Sequence, residues 1–96
     1  MALSQPATFN EAWSDDRVFA YLNCLPPDGE SADFYVLYTA YKHMRPFDFE
    51  RLLTRFKADG RNVNATNRDG QTLAQAIAPH AQQSVPFIEL LNQFAA

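Results

Sequence analysis

Two eight-residue segments of this chain repeat one pattern. Phe49-Glu50-Arg51-Leu52-Leu53-Thr54-Arg55-Phe56 and Phe87-Ile88-Glu89-Leu90-Leu91-Asn92-Gln93-Phe94 both read Phe-x-x-Leu-Leu-x-x-Phe. Apolar residues at i, i+3, i+4 and i+7 form one stripe of an α-helix, so each segment predicts an amphipathic helix with a face to bury. The segments before them match more weakly, Leu37 and Ala40 aligning with Leu73 and Ala76. A helix-helix unit recurring every 36 to 38 residues restricts the chain to stacked helical hairpins, because one hairpin cannot cover its own apolar face.

The remaining elements follow from local signals. Asp33 to Met44 holds three of the four tyrosines and is apolar on nearly every side, which predicts a central helix surrounded by the rest of the domain. Upstream, Ser14 is an N-cap residue followed by Asp15 and Asp16, acids that the helix dipole favours in a first turn. Val18, Leu22 and Leu25 continue at helical spacing until Pro26-Pro27, so a first helix is expected over Ser14 to Leu25. Pro46 opens the third helix and Gly60 closes it. Thr72-Leu73-Ala74-Gln75 has the spacing of a capping box and starts a short helix expected to end near Pro79. Ser84 is placed to cap the last helix, with Phe87, Leu90, Leu91 and Phe94 as its buried face. Residues 1–13 lack periodicity and read as a loose tail, with Phe9 or Trp13 available to tuck onto the body, and residues 14–96 as one domain. The expectation is an all-α fold of about five helices.

The segment from Gly60 to Thr72 joins the two hairpins. Gly60, Val63, Asn64, Ala65, Gly70 and Thr72 fall in register with the connecting loop of ankyrin repeats, Gly-x-Asp-Val-Asn-Ala-x-Asp-x-x-Gly-x-Thr, with Asn at both Asp positions here. Residues 33–95 therefore resemble two ankyrin-like hairpins, and the first helix then serves as an N-terminal cap. The Pro and His of the ankyrin Thr-Pro-Leu-His are replaced in Thr72-Leu73-Ala74-Gln75. The whole chain, through Ser14-Asp15-Asp16-Arg17, Pro26-Pro27-Asp28-Gly29, Ala32-Asp33-Phe34 and Asp48-Phe49-Glu50-Arg51, also resembles a family of short uncharacterised proteobacterial proteins. The ankyrin resemblance implies a module that binds another protein through its loop tips and first helices. In this sequence those positions are Asn67, Arg68 and Asp69, with Tyr38, Tyr41, Lys42 and Arg45 beside them; core packing is the competing role for the two tyrosines.

Chemistry-bearing residues are few. Cys24, the only cysteine, lies among Tyr21, Leu22 and Leu25 and is expected as a buried, inert thiol. His43 and His80 each sit at a helix end without a partner at zinc spacing. Asn67-Arg68-Asp69-Gly70 fails as a calcium loop, since Ala65 and Ala76 occupy positions that must be ligands. No catalytic residue, metal or cofactor is expected, and the chain is not read as an enzyme.

The formal charge is −3, unevenly placed. The first 33 residues set Glu11, Asp15, Asp16, Asp28, Glu30 and Asp33 against Arg17 alone, and the basic residues Lys42, Arg45, Arg51, Arg55, Lys57, Arg61 and Arg68 follow. Pairing of the acidic start with the basic middle is the expected outcome. The alternative is a nucleic-acid or phosphate site built from the Arg and Lys residues of 42–68. The opening residues show neither the basic nor the apolar run of a secretory signal, and no apolar stretch reaches membrane-spanning length, so a cytoplasmic location is expected.

Overall fold

The computed structural model describes residues 13–27 and 29–95, the side chain of Ala81 excepted. The chain is all-α. Its helices are α1 (Asp15–Ala20), α2 (Ala32–His43), α3 (Pro46–Ala58), α4 (Leu73–Ile77) and α5 (Val85–Ala95), and among the described residues only the isolated bridge between Thr66 and Thr72 has β character. Residues 1–12 of the expected tail lie outside the described residues. Trp13 is packed against the body.

The helices form two layers. In one, α3 lies between α1 and α5; in the other, α2 lies between the 3-10 turn Tyr21–Asn23 and α4. The pair α2–α3 thus stacks on the pair α4–α5, and α1 with its 3-10 turn closes the opposite side. The α3 stripe predicted from sequence is the centre of the core: Phe49, Leu52, Leu53 and Phe56 have no exposed surface. Burial of each such side chain stabilises the fold by about 1.5–3 kcal/mol. Phe87 of α5 wedges between layers, its ring 4.8 Å from Tyr41 and 5.2 Å from Phe49 in edge-to-face contacts, the arrangement aromatic quadrupoles favour.

Most helix boundaries carry the expected chemistry. The Ser14 hydroxyl accepts from the amide of Arg17, Pro46 occupies the first turn of α3, and Thr72 and Gln75 form the reciprocal capping box. Ser31, not singled out in the sequence, also caps α2 by accepting from the Phe34 amide.

Several boundaries and faces differ from expectation. The first helix stops at Ala20 and tightens into the 3-10 turn, leaving Leu25 83% exposed. The residue before a proline is pushed out of the helical region, which keeps Leu25 out of the helix; the earlier tightening at Tyr21 has no such local cause. Cys24 is half-buried and its thiol is free. Pro79 does not break the chain into a loop: α4 passes into a 3-10 segment, Ala78–Ser84, that runs directly into α5. Along α5, Phe87 and Leu91 are buried but Leu90 and Phe94 only partly, because this helix ends the stack and is covered on one side. The central helix α2 is likewise open on one side. It buries Phe34, Val36, Leu37, Ala40 and Tyr41 and leaves Tyr38 and Lys42 exposed.

Candidate functional site

The open side of α2 forms one wall of a groove of about 470 Å³. Phe34, Tyr38 and Lys42 are four residues apart and therefore share a helix face. The Phe34 and Tyr38 rings stack at 6.0 Å with 18° between their planes. Above them, the Lys42 ammonium sits 4.6 Å from the Tyr38 ring centroid, within cation–π range. Tyr35 and Pro27 extend this wall. Ala76 and His80 form the far side, and Glu30, Asn67, Arg68 and Asp69 supply polar edges.

The loop that carries Asn67, Arg68 and Asp69 is held by its own hydrogen bonds. Gly60 and Gly70 both take φ of +80°, a left-handed conformation that glycine adopts without steric cost. Val63 and Ala65 are buried and pin the loop to the helices. The Asn67 carboxamide oxygen accepts from the amides of Asp69 and Gln71, each at 2.9 Å, and the Asn67 amide donates to the Gln71 carbonyl at 2.8 Å. At the loop's other end, the Asp33 carboxylate accepts from Arg61 at 2.7 Å and from the Asn62 amide at 2.9 Å. The tip is therefore preorganised, which lowers the entropy a ligand must offset on binding.

Five of the seven residues singled out in the sequence, Tyr38, Lys42, Asn67, Arg68 and Asp69, line this groove together. Tyr41 belongs mainly to the core. Its ring is buried, and its hydroxyl lies 2.9 Å from His80 Nδ1. The imidazole tautomer sets which group donates, the hydroxyl to a bare Nδ1 or an Nδ1–H to the hydroxyl oxygen. Burial, with a smaller contribution from Tyr38, raises the Tyr41 pKa above its ordinary value. Arg45 is exposed at the N-cap of α3, away from the groove. Sequence reasoning missed Glu30, Phe34, Tyr35 and His80 as groove residues. The Phe34–Tyr38 spacing was the available signal, since two aromatics one turn apart make a shelf on any helix.

The Arg68 side chain reaches beyond the tip. A Cβ placed on Gly29 would come within 3.4 Å of its guanidinium, so Arg68 spans from the loop to the turn that precedes α2.

The other basic residues serve the fold. Arg51 pairs with Asp15 and, at 2.9 Å, with Asp48, and it donates to the Trp13 carbonyl at 2.7 Å. The hydrogen bond that Arg51 donates to Asp15 is the main cause of an Arg51 pKa above even the usual guanidinium value. Arg55 pairs with Asp59 at 3.3 Å. Arg61 joins Asp33 to the Leu22 carbonyl, which it reaches at 2.8 Å. The acidic start does lie against the basic middle. Asp48 is 2% exposed and accepts the Trp13 amide as well.

Among the described residues, no three His, Cys, Asp or Glu side chains converge in a way that could hold a metal ion. No helix among them is long and apolar enough to cross a membrane. Compared with family models, curated proteins and solved structures, the chain finds no significant match.

Proposed function

We propose that this chain is a small non-enzymatic module of the cytoplasm, two ankyrin-like hairpins behind a cap helix, that binds an extended segment of another protein. The observation that carries this reading is the groove itself: an aromatic shelf on α2 and a preorganised loop tip, distant in sequence, face one another across a single cleft. An apolar side chain of the partner rests on the exposed Tyr38 ring, which the buried Phe34 ring backs. Its main chain meets Asn67, Arg68 and Asp69. A contact of this size falls in the small, transient class of interfaces, and micromolar affinity is expected.

Phosphate or nucleic-acid binding is the weaker reading. Arg51, Arg55 and Arg61 already have carboxylate partners, and recruiting them for phosphate would strip those carboxylates of their cations. The groove has its own test. Peptides selected from a random library on the purified domain should lose about tenfold or more in affinity when Tyr38→Ala is introduced, as expected for an aromatic anchor. Circular dichroism should show the helical content unchanged. Peptides that bind the variant equally well, or micromolar binding of unrelated oligonucleotides at physiological salt, would contradict the proposal.

A further inference from the structure

A second hollow, of about 250 Å³, lies on the other helical layer, between the start of α3 and the side of α5 that runs from Pro86 to Gln93. Its walls are Pro46 and Phe47 on one side and Pro86 and Leu90 on the other, with the carboxylates Glu50 and Glu89 at its edge. It shares no lining residue with the α2 groove.

Two features set this hollow apart. Phe47 is 62% exposed, a large apolar surface that contributes little to the core. In addition, Glu50 and Glu89 make no ion pair among the described residues, while the other α3 carboxylate, Asp48, and the adjacent Asp59 both do. No Lys or Arg among the described residues lines the hollow. The N-terminal dipoles of α3 and α5 favour carboxylates there but fade within the first turn, so the edge keeps a net negative potential over an apolar floor. A second copy of this face would set like charges against each other, and charge complementarity selects a cationic occupant.

We infer that this hollow binds a basic segment of a partner protein, in which an apolar residue or proline sits between lysines or arginines. The apolar residue packs on Phe47 and Leu90. Flanking cations pair with Glu50 and Glu89. The module then has two faces, one on each layer, that engage separate segments.

Fluorescence anisotropy with labelled peptides carrying Leu-Pro-Leu between two pairs of lysines tests the assignment, with glutamates in place of the lysines as control. Saturable binding should weaken as salt rises and should perturb the amide resonances around Phe47 and Leu90. The double variant Glu50→Gln, Glu89→Gln should weaken it about fivefold, as expected for two exposed ion pairs, and Phe47→Ala should weaken it further. Both glutamates are exposed, and an unchanged circular dichroism spectrum would separate this loss from unfolding. Equal binding of the acidic control, absence of saturable binding, resonance changes confined to the α2 groove, or self-association through Phe47 that the basic peptide does not displace would each overturn the assignment.

Discussion

Replacing Asp48 by Ala tests how the N-terminal segment is fastened to the helical stack. Asp48 Oδ1 accepts the Trp13 amide at 3.3 Å and the Arg51 guanidinium at 2.9 Å, and its side chain is 4% exposed. Removing one partner of a buried ion pair costs about 3–5 kcal/mol when the other is left stranded. Arg51 is not fully stranded, because it retains Asp15 and the Trp13 carbonyl and its side chain is 24% exposed. The expected cost is therefore about 2–3 kcal/mol. For a domain of this length that corresponds to a melting temperature lower by roughly 8–24 °C. Asp15→Ala removes the other carboxylate, which is 74% exposed, and should cost no more than about 1 kcal/mol. Trp13 is the sole tryptophan and lies 3.6 Å beneath the Arg17 guanidinium, so urea titrations followed by its fluorescence report on this junction while circular dichroism reports on the helices. Equal costs for the two alanine variants would refute the reasoning, since they would show that burial of Asp48 does not distinguish it from a surface acid.

Three further outcomes follow from the same structure. Gly70→Val should cost about 1–3 kcal/mol from the positive φ alone, since no atom lies within 4 Å of the added Cβ; chemical denaturation measures it, and a silent substitution would mean the loop tip is misread. Thr39→Val should be neutral or stabilising by up to about 1 kcal/mol, because the Thr39 hydroxyl is buried without a hydrogen-bond partner among the described residues and an apolar isostere avoids its desolvation; a lower melting temperature would contradict this. Tyr41 ionises less readily in the fold than its ordinary value of 10.0, so its contribution is complete below pH 10 and is lost as pH rises toward the folded value. Tyr41→Phe should flatten that alkaline decline in stability, and an unchanged pH profile would exclude Tyr41 as its source.

The elements legible in the sequence are those whose cause is local. The α3 stripe, the Ser14 cap, the Thr72–Gln75 box and the Gly60 stop depend on residues within one or two turns, and all appear where their chemistry places them. Asp48 shows the limit. An acid two residues after a helix-opening proline reads as a dipole partner, and only the packing of Trp13, 35 residues away, makes it a buried acceptor. Tyr38 and Tyr41 show the same limit on α2, where aromatic residues cover several sides. Which tyrosine faces inward depends on the position of Phe87 and His80, and this is set by the stacking of the second helix pair. The groove was legible in part, as loop tip and helix face, but His80 could be placed only once the 3-10 segment had carried it back to α2.

The most direct test of the binding claim is site-specific photocrosslinking. A photoreactive residue at Asp69, on the edge of the α2 groove, is compared with one at Asn92, an exposed position on α5 that lines neither hollow. In a lysate of the source cells, the probe at position 69 should give a discrete protein adduct that a groove-selected peptide suppresses, and the probe at position 92 should not give it. The same adduct from both positions, or one that the peptide leaves undiminished, would contradict the assignment of the groove as the partner-binding surface.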